Sequence, residues 1–387
     1  MAIAAYSLEL PAPPPEALAL SGRLRRHIAD EIERRGGRIS FARYMELALY
    51  APGLGYYMAG ARKLGRDGDF VTAPEISPLF GRTLARQLRQ LADAVRGDIL
   101  EIGAGSGALA ADLLLELERL GCLPERYLML ELSPDLRDRS RNTLAARVPH
   151  LIERVAWLNQ LPPHFEGIVL GNEVLDAMPM HVFQRHGGHV RELGVGLQNG
   201  ELHWKPDVES APAPIDPSWF PQDGYRSEVQ LTAHAFIRSI GGMLKRGAAL
   251  FIDYGFPRRE YYHPQRASGT LMCHYRHRAH DDPFFLPGLQ DITSHIDFTA
   301  IAEAGREAGL DLLGYTNQAR FLVNCGITDL LAETPAGDTL SYAPLAAQAQ
   351  KLLSPAEMGE FFKVIALGRG VPSPLLGFTD GDRRQSL

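Results

Sequence analysis

Three glycines at alternate positions, preceded by an acid, form the segment of this sequence best suited to bind a ligand. Gly103, Gly105 and Gly107 follow the apolar run at 98–102, and Glu101 lies two residues before the first glycine. Glycine is required where a Cβ would block a ligand or where the backbone needs a positive φ. Because this segment joins a predicted buried strand to a predicted helix, we expect it to hold a nucleotide-like ligand at the helix N-terminus.

The glycine spacing and Glu101 favour one class of ligand. Dinucleotide-binding turns have the pattern G-x-G-x-x-G, whereas this chain has G-x-G-x-G. A carboxylate at Glu101 would repel a pyrophosphate but can hold an ammonium group. S-adenosyl-L-methionine (SAM) carries an ammonium group and no phosphate, so the segment favours a SAM-dependent methyltransferase over an NAD enzyme. A tight turn without any ligand is the alternative that this segment alone leaves open.

A second acid follows the next predicted strand, at 126–131. Glu131 lies at the distance along the chain that is expected of the carboxylate holding the ribose hydroxyls in a βαβ nucleoside site. Leu132 comes directly after it and is assigned to the same cofactor pocket. The alternative role for Glu131 is that of an ordinary acid at the start of the following helix.

Polar residues also follow the predicted strand at 168–170. Asn172, Glu173 and Asp176 come at its carboxyl end, where open α/β sheets place their chemistry. We expect Asn172 to contact the cofactor, and we expect Glu173 and Asp176 to face the methyl acceptor. The alternative is that these residues only cap a short helix predicted over 174–178.

The segment 255–297 is rich in His, Arg, Tyr and Pro and is predicted to hold little regular structure. Three histidines spaced three apart, starting at His274, suggest a metal site, but the arginines between them disfavour a cation. A loop facing the substrate is favoured instead, and no metal is predicted. Alternating polar and apolar side chains at 290–297 would bring His295 and Asp297 near the pocket.

Another polar, aromatic segment lies at 68–81, before the glycine turn. It has too many Pro and Gly residues for a core element and too many aromatic residues for a plain linker. One interpretation is a loop that covers the cofactor pocket, with Thr72 and Pro74 contacting the cofactor. The other is an ordered cap that packs on the sheet.

Strands and helices alternate in the way that would position these residues on one sheet. The pattern predicts an α/β fold with a Rossmann-like, seven-stranded sheet of the class I methyltransferase type. An N-terminal helical cap is predicted over 1–96 and a SAM-binding catalytic domain over 97–370. Insertions are expected at about 180–228, as β structure after the fourth strand, and at 256–297. The tail at 371–387 is predicted to be disordered.

Composition restricts the class of protein further. The chain has 387 residues, a formal net charge of −6 and three cysteines. The negative charge argues against a nucleic-acid binder, and few, widely spaced cysteines indicate a reducing compartment. No apolar run reaches membrane-spanning length, and the first twenty residues lack the pattern of a secretory signal. The expected location is therefore the cytoplasm.

Six segments together resemble a known family, the MidA-type SAM-dependent methyltransferases, whose mitochondrial relatives are arginine methyltransferases tied to assembly of respiratory NADH dehydrogenase. The resemblance extends over about residues 20–370 and is most specific at 68–81 and 171–179. The segments that carry it are 39–45, 55–57, 68–81, 100–107, 171–179 and 290–298.

The resemblance implies a SAM site and a protein arginine as the methyl acceptor, with a respiratory NADH dehydrogenase subunit as one partner. In a eukaryote it would imply the mitochondrial matrix. Glu173 and Asp176 would then hold the guanidinium bidentately and polarise its nitrogen. Better-known arginine methyltransferases carry two Glu on a longer loop, whereas Glu173 and Asp176 are only three positions apart. His295 and Asp297 are therefore the alternative second anchor for the guanidinium. A small-molecule methyltransferase and a SAM-binding assembly factor are the alternative functions.

Overall fold

A central, largely parallel sheet covered by helices dominates the protein, as seen in a computed structural model that describes residues 10–59, 72–207 and 215–387. The helices in these ranges are α1 (Pro15–Arg34), α2 (Phe41–Tyr50), α3 (Ala73–Ile76), α4 (Pro78–Ala94), α5 (Ala108–Arg119), α6 (Pro134–Arg147), α7 (Leu231–Met243), α8 (Arg258–Tyr261), α9 (Phe298–Glu307), α10 (Gln318–Asn324), α11 (Ile327–Ala332), α12 (Thr339–Leu353) and α13 (Met358–Phe361). The strands are β1 (Ile39–Ser40), β2 (Asp98–Ile102), β3 (Tyr127–Leu130), β4 (Val155–Leu158), β5 (Phe165–Asn172), β6 (His181–His186), β7 (His189–Gln198), β8 (Glu201–Pro206), β9 (Arg226–Val229), β10 (Leu244–Phe256), β11 (Met272–Tyr275), β12 (Arg278–His280), β13 (Asp291–Thr293), β14 (Ile296–Asp297), β15 (Asp311–Asn317) and β16 (Phe362–Arg369).

The central sheet has the strand order β15-β16-β10-β5-β2-β3-β4, and the two-residue strand β14 pairs with the end of β10. Each strand is parallel to the next from β10 through β5, β2 and β3 to β4, while β16 runs antiparallel to both of its neighbours, β10 and β15. Both faces are buried: Ile99 packs in a cluster with α4 and α5, and Leu100 in a cluster with α7 and α9. This confirms the predicted class, because apolar residues on both sides of a strand require helices on both faces.

The chain changes direction across the sheet between β2 and β5. The strands after β2 are added on one side of it, and β10 is added on the other side of β5. Such a switch point leaves a crevice at the carboxyl ends of the two central strands. The glycine segment follows β2 and the polar group at 172–176 follows β5, so both border that crevice.

A second, antiparallel sheet combines the segment after β5 with the N-terminal region. Strands β6 to β9 form most of it, and Ile39 of β1 pairs with Val195 of β7. Ser40 begins α2 by accepting a hydrogen bond from the backbone N–H of Arg43 at 3.1 Å. This pairing fixes α2 and thereby carries Tyr50, its last residue, to the crevice.

The segment 255–297 is more regular than predicted. Strands β11, β12 and β13 form a three-stranded sheet within it, and Cys273 pairs with Ile292. The fully buried carboxylate of Glu228 accepts hydrogen bonds from the backbone N–H groups of Thr270 and Leu271, at 2.9 and 3.2 Å. The expectation of little regular structure was wrong because these strands are held by partners distant in sequence.

The C-terminal tail is also ordered, contrary to the predicted disorder at 371–387. Leu375 and Phe378 are buried, and the ring of Phe378 lies 5.4 Å from that of Phe321. The side chain of Gln87 accepts a hydrogen bond from the backbone N–H of Gly377 at 2.8 Å. Leu375 and Phe378, with Val371 and Leu376 beside them, dock this segment on the core, and their partners cannot be inferred from local composition. In the three described ranges, no helix has the length and apolar character needed to cross a bilayer.

Candidate functional site

A cavity of about 1550 Å³ opens at the carboxyl ends of β2 and β5. Its walls come from the glycine segment, the end of α2, the residues after β5, the end of β10 and the segment before β14. A cavity of this size at a topological switch point is the expected place for a ligand and a substrate to meet.

The glycine segment forms the wall of one half of the cavity, which we call the donor half. Gly103 and Gly105 line it with φ angles of 66° and 55°. A Cβ on Gly103 would lie 2.9 Å from Cγ2 of Val174. Gly107 does not line the cavity, and its Cβ would lie 3.0 Å from Ser140 on α6. Gly107 therefore allows close packing of α5 against α6, which differs from the predicted cofactor contact.

Two buried carboxylates, Glu101 and Glu131, lie beside the glycine segment and also line the cavity. Glu131 accepts hydrogen bonds from the backbone N–H groups of Gly105 at 3.0 Å and Ser133 at 2.9 Å. Glu101 accepts one from the hydroxyl of Tyr127 at 2.8 Å. Burial, with a smaller contribution from the charge of Glu131, raises the pKa of Glu101 to about 8 against the effect of the Tyr127 hydrogen bond. Both acids line the cavity, as predicted, and are neighbours in it.

Leu132, Thr72 and Pro74 also line the cavity. Leu132 is 62% exposed, which leaves its side chain available to a ligand in the cavity. Thr72 and Pro74 lie at the start of α3, and the nearby hydroxyl of Ser106 donates a hydrogen bond to Glu75. Residues 68–71 of the predicted covering loop lie outside the described ranges.

Glu173 marks the boundary between the donor half and the other half, which we call the acceptor half. Its φ is 53°, a left-handed conformation that is costly for a residue other than glycine and is often found at functional sites. Its Oε1 accepts a hydrogen bond from Nδ2 of Asn172 at 3.1 Å. Burial and the charge of Asp176 raise its pKa to about 8. The Oδ1 atom of Asn172 is buried and has no hydrogen-bond partner among the described residues.

The residues after Glu173 form a turn, so the predicted helix at 174–178 is wrong. The Oδ2 atom of Asp253 accepts hydrogen bonds from the backbone N–H groups of Val174, Leu175 and Asp176, at 3.2, 2.9 and 3.3 Å. A fully buried carboxylate from β10 thus holds these N–H groups in a tight turn. Burial and the charges of Asp176 and Glu173 raise the pKa of Asp253.

Asp176 lies on the wall of the acceptor half with one oxygen engaged. The hydroxyl of Tyr254 donates a short hydrogen bond to Oδ2, while Oδ1 is buried and has no hydrogen-bond partner among the described residues. Burial raises the pKa of Asp176 to about 6, against the opposing effect of the Tyr254 hydrogen bond. An unsatisfied, buried carboxylate oxygen on a cavity wall indicates that a ligand donor belongs there.

Tyrosines and a third acid complete the acceptor half. Tyr50 and Tyr57 stack with ring centroids 5.4 Å apart, and the Tyr50 hydroxyl donates to the carbonyl of Ala177 at 2.9 Å. The Tyr57 hydroxyl lies 3.1 Å from both oxygens of Asp291, which is buried and lines the cavity. Sequence reasoning missed these three residues, although two of the family segments, 55–57 and 290–298, contain Tyr57 and Asp291.

His295 reaches the cavity, and Asp297 does not. The His295 ring lies between the rings of Tyr254 and Phe256, at 5.3 and 5.2 Å, and burial lowers its pKa to about 4, so it is neutral at pH 7. Asp297 instead accepts a hydrogen bond from Arg258 at 3.0 Å and caps α9. The expectation that Asp297 is near the pocket was wrong, because the chain turns into a helix at this residue. In the described ranges, no cluster of three or more His, Cys, Asp or Glu side chains is suitably placed for a metal ion.

Comparisons with known proteins agree with this geometry. Residues 79–316 match the model of a family of S-adenosyl-L-methionine-dependent methyltransferases. A crystal structure from Burkholderia thailandensis, bound to S-adenosyl-homocysteine, superposes with a TM-score of 0.94 at 52% identity and covers 98% of this chain and 100% of its own. The chain belongs to this methyltransferase family.

Relatives with curated names are more distant. The protein arginine methyltransferase NDUFAF7, mitochondrial, of Danio rerio is 28% identical over 92% of each chain. The Homo sapiens protein of the same name is also 28% identical, over 88% of this chain and 82% of its own.

The cofactor of the methyltransferase is SAM, and the residues of the donor half fit it. SAM offers an ammonium group, ribose hydroxyls and an adenine ring. The donor half offers two acids, Glu101 and Glu131, an unsatisfied amide oxygen on Asn172, and glycine backbone at Gly103 and Gly105 where no side chain intervenes. The prediction of SAM as the cofactor is confirmed by the family match and by the S-adenosyl-homocysteine-bound relative.

Proposed function

We propose that this methyltransferase methylates the guanidinium group of arginine in a protein substrate. The observation that carries the proposal is the acceptor half, where Glu173, Asp176 and Asp291 line one region of the cavity together with Tyr50 and Tyr57. Three acids and aromatic rings are well suited to a planar cation, which they can bind through paired hydrogen bonds and through contact with ring faces. The relatives from Danio rerio and Homo sapiens, which are named protein arginine methyltransferases, support the same acceptor.

On the donor side, we propose that Gly103 and Gly105 lie against the amino-acid part of SAM and that Glu101 binds its ammonium group. Glu131 would hold the ribose hydroxyls, since its position beside Gly105 is fixed by two backbone hydrogen bonds. Leu132, with its exposed side chain, would contact the adenine ring. Thr72, Pro74 and Asn172 would close the pocket around the cofactor.

Bound SAM supplies an electrophilic methyl group on a sulfonium. The protein must then align a guanidinium nitrogen with that methyl group and exclude water. Asp176 Oδ1 and the Glu173 carboxylate would accept N–H donors from the guanidinium and direct one nitrogen towards the donor half. The nitrogen forms a bond to the methyl carbon, the sulfur–carbon bond breaks to leave S-adenosylhomocysteine, and the nitrogen loses a proton.

Glu173 is the proposed acceptor of that proton. Its pKa of about 8 in the protein alone makes it a stronger base than an ordinary carboxylate, and the positive charge of a bound guanidinium favours its ionised form. Asp253 and Tyr254 are positioning residues in this scheme, because they hold the turn and the Asp176 carboxylate in place. A protein substrate in the cytoplasm or the mitochondrial matrix is proposed, and a respiratory NADH dehydrogenase subunit stays a prediction from the family resemblance.

The test is direct transfer of a labelled methyl group. The purified full-length protein is incubated with methyl-labelled SAM and with short peptides that contain either one arginine or one lysine at the same position. Mass spectrometry should find the label on the arginine side chain and none on the lysine peptide. A parallel incubation replaces the peptides with the small molecules of a cell extract. Label found only on hydroxyl-containing molecules of that extract would overturn the arginine assignment in favour of a small-molecule methyltransferase.

A further inference from the structure

We propose that the acceptor arginine lies in a polypeptide segment with apolar, and not basic, neighbours, which bind around the mouth of the cavity. The inference rests on the proposed function and adds the class of protein substrate to it. We call Met272, Met358 and Phe361 the apolar rim; all three line the cavity.

The exposed apolar side chains of the protein concentrate at this cavity. Among the described residues, the large hydrophobic side chains that are exposed are Leu18, Leu115, Leu132, Met272, Val323, Leu340 and Phe361. Three of these seven line the cavity: Leu132 in the donor half, and Met272 and Phe361, which are 38% and 49% exposed, in the apolar rim. Single exposed hydrophobic residues are common, but their accumulation at the opening of a functional cavity indicates a binding surface.

The apolar rim adjoins the acceptor half of the cavity. Met272 pairs across strands with Thr293, which lines the cavity two residues before His295. Phe361 precedes Phe362, whose ring lies 5.4 Å from that of Tyr254. Residues flanking an arginine whose guanidinium reaches Asp176 would therefore lie close to Met272 and Phe361, which line the same cavity.

Charges at the mouth differ from those deeper in the cavity. Glu173, Asp176 and Asp291 make the acceptor half acidic. Outside the acceptor half, the charged residues that line the cavity and are not buried are Arg43, Glu46, Glu75, Arg266, Lys351 and Glu357, which together are three cations and three anions. Arg43 and Glu46 form an ion pair at 2.8 Å. The mouth therefore has no acidic excess to attract lysine or arginine beside the target residue.

This distribution favours one kind of substrate over two others. A free guanidino compound would use the acid groups and leave the apolar rim in water. A segment with many basic residues would bring cations to Arg266 and Lys351. A segment with one arginine between apolar residues would satisfy both the acids and the apolar rim.

The experiment compares short peptides that differ only in the residues flanking a single arginine. These residues are leucine, glycine or lysine, and free arginine is included as a further acceptor. With the full-length protein and saturating SAM, the leucine peptide should have a kcat/KM at least tenfold above the lysine peptide, mainly through a lower KM. Equal values for the leucine and lysine peptides would overturn the inference and leave the proposed function intact.

Variants locate the effect on the apolar rim. Met272→Gln and Phe361→Gln should each raise the KM of the leucine peptide about five- to tenfold and leave the Kd for SAM and the KM of free arginine unchanged. Leu340→Gln is the matched control, because Leu340 is 91% exposed and lies outside the cavity lining. Rim variants that behave like the control would overturn the inference, and failure of every arginine acceptor would overturn the proposed function together with it.

Discussion

The two halves of the cavity are built in different ways. In the donor half, the glycine segment and its acids come from β2, β3 and the turns that follow them, a stretch of about one βαβ unit. In the acceptor half, the walls come from α2, the turn after β5, the end of β10 and the segment before β14. The Tyr57–Asp291 hydrogen bond alone joins residues 234 positions apart.

This difference indicates where specificity for the methyl acceptor resides in this protein. A cofactor shared by many enzymes can be held by a compact local unit, since its shape does not change from one enzyme to another. The acceptor is specific to each enzyme, and here it faces loops and strand ends attached to a rigid sheet. Variants in the donor half should accordingly change the affinity for SAM, and variants in the acceptor half should change the turnover of the methyl acceptor.

The largest effect is expected for Glu173→Gln in the acceptor half. Loss of the carboxylate removes one guanidinium partner and the proposed proton acceptor, so kcat should fall by roughly 10³-fold. The Kd for SAM, measured by isothermal titration, should change less than threefold. Glu166→Gln is the control, since Glu166 is exposed near the start of the same strand. Unaltered turnover in Glu173→Gln would exclude Glu173 from the acceptor half.

The corresponding variant of the donor half is Gly103→Ala. The new Cβ would lie 2.9 Å from Val174 at a φ of +66°, so the turn must shift where we propose that SAM binds. We expect SAM affinity to fall roughly 10- to 100-fold, which corresponds to about 1.4–2.8 kcal/mol. Gly121→Ala is matched in φ at +69° but has nothing within 4 Å, so it should retain SAM affinity. Equal Kd values for the two variants would contradict the assignment of the donor half.

Tyr254→Phe tests the positioning of Asp176 and should have an intermediate effect. Without the phenol, the pKa of Asp176 rises, because the Tyr254 hydrogen bond now lowers it. The carboxylate binds a guanidinium only when ionised, so the rise of kcat/KM with pH should move to higher pH. At pH 7 the loss should be about tenfold, as for one charged hydrogen bond. Tyr315→Phe is the control, since its buried hydroxyl has no hydrogen-bond partner among the described residues; an unshifted pH profile in Tyr254→Phe would contradict the prediction.

The smallest effect concerns stability. The pKa of Glu101 is about 8 in the folded protein and the ordinary value for glutamate is 4.5, so the folded state binds an extra proton between these pH values. The free energy of unfolding should therefore decrease as pH rises from about 5 to 8. Glu101→Gln removes this contribution and should raise Tm at pH 8.5 by a few degrees relative to the unmodified protein. Thermal melts of the exposed-site variant Glu153→Gln serve as the control; a lower Tm for Glu101→Gln at this pH would show that the buried acid is charged and stabilising.

Sequence patterns predicted the elements of the sheet better than the connections between them. The buried strand predicted at 98–102 is observed as β2, and the strand predicted at 126–131 is observed as β3 at 127–130. The predicted helix at 174–178 is absent because Asp253, on another strand, holds its N–H groups. The local preference of these residues for a helix is overridden by hydrogen bonds to a buried carboxylate, and no local sequence pattern reveals that carboxylate.

The candidate site shows the same limit. Glu101, Gly103 and Glu131 were placed correctly in the cavity because each follows or ends a strand whose neighbours could be inferred from the alternation of strands and helices. Asp297 was misplaced, since an alternating pattern cannot reveal that Arg258 and the N-terminus of α9 bind its carboxylate.

By itself, the sequence predicted the fold class, the glycine turn and SAM as the cofactor, because those features are encoded in contiguous segments and in the period of the apolar side chains. Only the tertiary structure decided which acids share the acceptor half, that Gly107 serves helix packing, and that Met272 and Phe361 border the same opening. These features depend on contacts between segments far apart in the chain. Which segments come into contact is decided by the packing of the whole fold, and the local sequence does not reveal it.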